Sequence, residues 1–292
     1  MQLVKPLHWQ EYELIDSGHF EKLEKFGEYI TIRPEPQAAW DSSLSEAEWK
    51  KMAHATFKRD PNNPEKGVWD TTKAPKPNWP LKYSYNGLNI HFKLSFSSFK
   101  HVGIFPEQAA NWDYIFEQVK ARKATNPKVL NMFAYTGGAS LAAKAAGADV
   151  THLDSIKQVV TWSRENMELS NLDNIRWIVD DAMKFIKREV KRGNKYQGVM
   201  LDPPAYGRGP NGERWVLEED INEMIALCSQ ILDEKDHFFI INTYSIGFSY
   251  MVLDNLINKA FPFKKNEQSG ELYMEDRFHK KLPTGIFYRF HS

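Results

Sequence analysis

The sequence predicts an α/β protein: a doubly wound parallel sheet in the C-terminal part of the chain, preceded by a smaller β-rich N-terminal region. Three observations carry this expectation. From Lys128 onward, short apolar runs alternate with helical patterns, as parallel strands joined by crossover helices require. Residues 128–154, KVLNMFAYTGGASLAAKAAGADVTHLD, read as strand, glycine turn, helix, strand and terminal acid. Several strand ends also carry polar residues, at the edge where such a sheet holds its ligands.

At 292 residues the chain can bury one large core or two smaller ones. Its 38 basic and 38 acidic residues give zero formal net charge, so binding to a polyanion has to come from local patches. One cysteine, Cys228, excludes an intramolecular disulfide and a cysteine metal cluster. The nine histidines lack ligand spacing, and no metal is expected. The first residues have no apolar leader and no run is long enough to span a membrane, so the expected location is the cytoplasm.

Taken in order, residues 1–80 form a mixed N-terminal region. Tyr12–Ile15, Lys22–Phe26 and Tyr29–Arg33 read as strands, with Asp16-Ser17-Gly18 and Gly27 as turns. Leu44–Phe57 reads as a helix, with Ser43 as its N-cap and Leu44, Ala47, Trp49, Met52, Ala53 and Phe57 on one face. Arg59–Pro80 carries Pro61, Pro64, Pro75, Pro77 and Pro80 and reads as a long loop. Its Lys58, Lys66, Lys73, Lys76, Trp69 and Trp79 suit either a solvated loop pinned by aromatics or a polyanion contact. The second region is 81–292, divided into a hairpin and lead-in helix (81–122) and a sheet core (123–292). Asn86-Gly87, between alternating runs, is a strong hairpin signal. Trp112, Ile115, Phe116 and Val119 place a helix up to about Arg122.

In the core, Val129–Phe133 and Asp149–Leu153 are strands around a helix from Ala139 to Ala146 that Gly147 ends. Helices follow at Val159–Ser170, Ala182–Lys191, Glu219–Leu232 and Ser249–Phe261. Strands fall at Ile175–Val179, Tyr196–Leu201 and His237–Thr243, and Leu272–Asp276 with Gly285–His291 forms a closing antiparallel pair.

The strand ends gather Tyr135-Thr136-Gly137-Gly138, Asp154, Asp180-Asp181 and Asp202-Pro203-Pro204. Glycines allow close backbone approach, a helix N-terminus offers free N–H groups, and an acid 17 positions after Gly137 can accept both hydroxyls of a ribose. A G-x-G-x-x-G pattern is absent, and paired glycines also occur in plain turns. Asp154 alone would serve equally as a helix N-cap. Together the four ends point to a nucleoside-bearing cofactor.

From Lys128 to Ser245 the chain resembles the class I S-adenosylmethionine-dependent methyltransferases. Within them it is similar to the large-subunit (23S) rRNA methyltransferases that include cytosine-5 enzymes. The matching segments are NMFAYTGG, the Asp154 strand end, SRENMELSNLDN, IRWIVDDAMKFIKR and KYQGVMLDPPAY, with PTGIFYRF as the closing strand. GIFPEQ resembles a cofactor-bordering G-x-F-x-D-Q-R segment, but Glu107 and Ala109 replace its acid and arginine, so Gln108 alone carries over.

The resemblance implies a Rossmann-like sheet and S-adenosyl-L-methionine as cofactor. The implied cofactor residues are Gln108, Asn131, Phe133, Ala134, Tyr135, Thr136, Gly137, Gly138, Asp154, Ser155, Asp181, Ala182 and Asp202. Asp154 would take the ribose hydroxyls, Asp181 the adenine amino group, and Asn131 the ammonium of the methionine. Asp202, Pro203, Pro204 and Tyr206 would form the catalytic turn, its carbonyls pointing into the site. Tyr206 either stacks on a flipped base or packs in the core. The loop Gly207–Trp215 brings Arg208, Arg214 and Trp215 as substrate contacts or is an ordinary surface loop.

The cytosine-5 relatives place a cysteine just after the fifth strand, where this chain has Thr243-Tyr244-Ser245. Tyr244 then lines the base pocket, and Cys228, among Met224, Ile225, Leu227 and Ile231, packs in the core. The expected function is methyl transfer to a base of ribosomal RNA by direct attack. A small-molecule methyltransferase of the same fold, a nicotinamide-dependent oxidoreductase and a non-catalytic RNA-binding relative stay open. Oligomeric state has no signal in the sequence.

Overall fold

The computed structural model describes residues 1–60, 63–74, 76–97, 100–122, 126–244 and 248–292, with backbone alone for 63–65. Its contacts divide the chain into two units. One comprises Met1–Val4, Ala110–Leu272 and Thr284–Ser292; the other comprises Lys5–Ala109 and Tyr273–Pro283. The hairpin that the sequence grouped with residues 81–292 belongs by its contacts to the second of these. Among the described residues no helix is long and apolar enough to cross a membrane.

Strand β1 (Gln2–Val4) opens the chain. Then β2 (Tyr12–Gly18), β3 (Glu21–Phe26) and β4 (Tyr29–Pro34) form an antiparallel meander. Asp16, Ser17 and Gly18 are part of β2, past a register shift between Leu14 and Asp16, and the turn falls on His19 and Phe20 instead. Asp16 is fully buried and accepts the indole N–H of Trp49 (2.9 Å) and the ammonium of Lys280 (2.8 Å).

The expected helix is shorter: α1 covers Glu46–Met52. Ser45, rather than Ser43, caps it in a capping box with Glu48, while the Ser43 Oγ accepts from Lys280 and its N–H is bonded to Asp16 (3.1 Å). Trp49 and Ala53 bury against Ile15, Leu23 and Ile32 of the sheet. The chain then turns into β5 (Ala55–Asp60), parallel to β4, and β6 (Asn63–Asp70).

The proline-rich stretch from 59 to 80 is therefore largely strand, not loop. β6 ends the five-stranded order β2-β3-β4-β5-β6, and an edge strand tolerates a proline such as Pro64. Pro61 and Pro75 lie outside the described residues. Trp79 is 2% exposed and donates its indole N–H to the Phe26 carbonyl (2.9 Å), so it is core. Lys58 pairs with Asp70 (3.1 Å), Lys76 with Glu28 (3.3 Å), and Lys73 donates to the Lys50 carbonyl (3.0 Å).

β7 (Asn78–Tyr85) and β8 (Leu88–Ser95) pair around Asn86 (φ 44°) and Gly87 (φ 95°), the two positive φ angles of a two-residue hairpin turn. After a short turn at Pro106–Gln108, α2 spans Ala109–Ala121.

The other unit holds an eight-stranded sheet. β9 (Lys128–Met132), α3 (Gly138–Ala145), β10 (Asp149–Asp154), α4 (Lys157–Leu169), β11 (Arg176–Val179), α5 (Ala182–Arg192) and β12 (Gly198–Leu201) alternate as expected. Two strands that the sequence did not suggest follow, β13 (Tyr206–Arg208) and β14 (Arg214–Val216), an antiparallel pair. After them come α6 (Leu217–Ile231), β15 (Phe238–Thr243), α7 (Tyr250–Ala260), β16 (Gln268–Glu275) and β17 (Lys281–His291).

The sheet order is β1-β16-β17-β15-β12-β9-β10-β11, with β17 antiparallel to β15. Chain direction through the order reverses at β9 and β12, which makes their shared C-terminal edge the switch point where ligands bind. Leu130, Met132, Val199, Leu201, Phe239 and Ile241 pack on α5, α6 and α7 in one large apolar core. Cys228 is fully buried within it, and that burial pushes its thiol pKa up.

Candidate active site at the strand ends

Register brings the polar strand ends together. Met132 faces Leu153 on one side and Leu201 on the other, and Asp154 faces Val179. Phe133, Asp154 and Asp202 therefore follow equivalent positions on adjacent strands. The three elements between them, a loop, a carboxylate and a turn, share one edge.

The loop from β9 to α3 has positive φ at Phe133 (56°), Tyr135 (49°) and Gly137 (94°). Two non-glycine residues in that region within five positions mark a backbone held by its surroundings, as sites often are. Gly137 is the N-cap of α3 in a left-handed conformation. Gly138 has a different reason to be glycine: a Cβ there would lie 2.6 Å from the ring of Trp112, a buried residue of α2.

Asp154 is half-buried at the end of β10. Its Oδ2 accepts the Tyr135 N–H (2.9 Å) and its Oδ1 the Ile156 N–H (3.0 Å). Burial pushes its pKa up, and those backbone donors act in the opposite direction. The helix-cap reading belongs to a different residue: Asp181 is the N-cap of α5, its Oδ1 accepting the Lys184 N–H (2.8 Å). Ala182 is buried behind it, and Asp180 pairs with Arg188.

Asn131 is 3% exposed and donates to Ser140 Oγ (2.9 Å), which in turn meets His152 Nδ1 (3.0 Å). Burial lowers the His152 pKa to about 3, so the imidazole is neutral. Asn131 thus sits inside a buried polar chain beneath the loop. Gln108 ends the Pro106–Gln108 turn in the other unit. Ser155 is half-buried beside Asp154, and Ala134 is buried in the loop.

Two residues escaped the sequence reading. Ile156 is 51% exposed and donates its N–H to Asp154, and Val179, the strand partner of Asp154, is 41% exposed. They are apolar surface at the edge of the sheet where ligands bind. Nothing in the amino-acid pattern distinguished them from ordinary helix-start and strand-end residues.

After β12, Asp202 is half-buried, Pro203 buried and Pro204 exposed. The expectation that the turn aims its carbonyls at the site needs correction at two positions. The Pro204 carbonyl accepts the Trp215 indole N–H (2.7 Å), and the Ala205 carbonyl accepts the Leu217 N–H (3.0 Å). Trp215 is 5% exposed and packs on Phe133 at 4.8 Å. It is not available to stack on a substrate base; it braces the turn against the loop instead.

The expected loop 207–215 is mostly the hairpin β13–β14, closed by the Gly209 N–H on the Glu213 carbonyl (2.8 Å). Tyr206 is 53% exposed at its base, so it is not a core residue. Arg208 and Arg214 face each other across the hairpin, both exposed, and Arg214 also reaches Glu219 (3.2 Å). Tyr244, just past β15, is 40% exposed. Ser245, the other end of the expected substrate segment, lies outside the described residues.

The comparisons agree with this geometry. The profile of the S-adenosylmethionine-dependent methyltransferase family matches residues 65–265. The crystal structure of the SAM-dependent methyltransferase from Agrobacterium tumefaciens superposes with a TM-score of 0.90 at 36% identity, covering 100% of this chain and 93% of that one. Ribosomal RNA large subunit methyltransferase K/L of Shewanella frigidimarina is 28% identical over 155 residues, 52% of this chain and 21% of its own length. Ribosomal RNA large subunit methyltransferase I of Escherichia coli is 33% identical over 101 residues, 32% of this chain and 26% of that protein. The matches thus take in about a fifth to a quarter of those curated relatives. With the family profile running through every strand end just described, the chain belongs to the S-adenosylmethionine-dependent methyltransferase family, and S-adenosylmethionine is its cofactor.

Proposed function

We propose that the chain methylates a base of ribosomal RNA, in the cytoplasm, by direct transfer from the sulfonium and without a cysteine nucleophile. The observation that carries the substrate class is the hairpin beside the D-P-P turn. Like charges placed directly across two strands repel, yet Arg208 and Arg214 stand opposite each other. A phosphate between them turns that repulsion into two charge-assisted contacts. Exposed Tyr206, two positions before Arg208 and so on the same face of the strand, offers a stacking face for a base. The names of the rRNA methyltransferases that this chain resembles support the same class.

The cofactor supplies an electrophilic methyl group. In this reading Asp154 orients the ribose, Ile156 and Val179 flank the adenine, and Asp181 receives its amino group on the oxygen not used in capping. Asp202 orients the accepting atom or takes its proton, and most of the acceleration comes from holding that atom about 3 Å from the methyl carbon. The cysteine route requires a thiolate adding to C6 of a cytosine. Cys228 is the chain's only thiol, fully buried in α6, and Tyr244 occupies the place expected for such a residue.

The test is methylation and binding of rRNA from a deletion strain across a range of salt concentrations. Arg208→Ala with Arg214→Ala is expected to weaken RNA binding and flatten its salt dependence by up to about two phosphate contacts, with cofactor affinity unchanged. Normal binding by that variant at every salt concentration removes the hairpin from the substrate site. RNA containing 5-fluorocytosine is expected to form no covalent adduct; a stable adduct overturns direct transfer.

A further inference from the structure

The buried face of α4 is unusual for a helix lying on a parallel sheet. Alongside Val160, it presents Ser163 and Asn166, both fully buried. Burying a hydroxyl and a carboxamide is unfavourable unless each is hydrogen-bonded. Both are, and to the same target. Ser163 Oγ donates to the Tyr135 carbonyl (2.7 Å) and Asn166 Nδ2 to the Thr136 carbonyl (2.9 Å). Ser163 Oγ also lies 3.0 Å from its own helix's Val159 carbonyl, so its single proton is shared.

The neighbouring carbonyls of the loop are held as well. The Ala134 carbonyl accepts the Gly137 N–H (3.1 Å), and the Gly137 carbonyl accepts the Leu141 N–H (2.8 Å). Four consecutive carbonyls, 134 to 137, are therefore committed to the protein. In a trans peptide the N–H points opposite to its carbonyl. Drawing the Tyr135 carbonyl toward α4 aims the Thr136 N–H away from α4. Positive φ at Tyr135 is the backbone cost of this arrangement, and Gly137 takes its own without one.

We propose that Ser163 and Asn166 are positioning residues for the cofactor: they turn the Tyr135 and Thr136 carbonyls away from the loop's ligand face, so that the anionic methionine carboxylate does not meet those two acceptors. The proposal rests on the reading of residues 133–138 as the cofactor loop. It assigns the α4 side chains a role in affinity, beyond holding the helix in place. Gly137 takes part, since a Cβ there would stand 3.3 Å from the Ser163 Cβ, and the close approach of helix and loop needs its absence.

The experiment measures the Kd of S-adenosylhomocysteine by calorimetry, and the thermal midpoint without it, for the full chain carrying Ser163→Ala, Asn166→Ala, Asn166→Asp or Asp154→Ala. Each α4 variant is expected to raise Kd at least fivefold, with Asn166→Asp the most severe at pH 8, because its carboxylate faces a carbonyl with nothing to donate. Protonated, that same carboxyl regains an O–H donor. The Kd ratio of Asn166→Asp to wild type should therefore shrink as pH falls from 8 to 5, while the ratio for Asn166→Ala stays flat. A packing role alone would not produce that pH profile. A lowered midpoint with unchanged Kd overturns the proposal, as does a flat ratio for Asn166→Asp. If the Asn166 variants fail to fold, Ser163→Ala, which loses one hydroxyl, decides by its Kd alone. If Asp154→Ala also binds normally, the cofactor-loop reading itself has failed; if Asp154→Ala alone binds weakly, that reading stands and the positioning role falls.

Discussion

Each Asp154 oxygen already accepts a backbone N–H, so the carboxylate is aimed before any ligand arrives. Asp154→Ala is expected to weaken S-adenosylmethionine binding by about 1.5–3 kcal/mol, since hydroxyls lose a charged acceptor in a partly buried site; calorimetry checks this. Because burial raises the Asp154 pKa, affinity should begin to fall on acidification at a higher pH than an exposed aspartate would give. Glu107 shows the same effect in the other unit, where burial pushes it from 4.5 to about 7 against the pull of Lys22. An unfolded chain ionises this group near 4.5, while the folded one still holds the proton, so stability falls as pH rises through that window. Glu107→Gln should leave stability unchanged near pH 4 and raise it by about 1–3 kcal/mol at pH 8, read from urea melts. The strand-end position of Asp154 and the left-handed turn at Gly137 were legible in the sequence, because they follow from alternation and from a glycine's backbone freedom. The exposure of Ile156 and Val179 was not, because exposure of an aliphatic residue leaves no mark in the sequence.

Among the elements, those whose hydrophobic period ran uninterrupted were readable: α3, β10, α5 and the β7–β8 hairpin lie within a few residues of their expected bounds. The misses have physical causes. Prolines in 59–80 suggested a loop, but an edge strand lacks the partner whose hydrogen bond a proline would remove. The glycines and arginines of 207–215 suggested a mobile loop, but Trp215 anchors the segment to the core. Trp215→Phe keeps the ring and removes the N–H that binds the Pro204 carbonyl. The expected result is a loss of about 1–2 kcal/mol in thermal or urea stability and a reduced methylation rate, with the Kd for S-adenosylhomocysteine nearly unchanged. A weakened Kd in that variant would instead place the indole in cofactor binding.

At the scale of the molecule, the doubly wound sheet followed from alternation alone, whereas long-range connections had no local signature. Residues 273–283 belong with Lys5–Ala109, and they are tied there by Arg277 on Glu13 (2.5 Å) and Lys280 on Asp16 (2.8 Å). Likewise, β1 pairs in parallel with β16, Gln2 facing Gly270. A Cβ at Gly270 would run into the Gln2 backbone, and Gly270 has φ 158°. Gly270→Ala should detach β1, seen as lost hydrogen-exchange protection at Leu3 and Val4. This pairing also sets a clock. The first strand leaves the ribosome 268 residues before its partner, which at about 5–20 residues per second is a wait of roughly 13–54 s. Until then β1 stands without its partner strand, and a chaperone that covers it during those seconds would act on the yield of active enzyme without touching its stability.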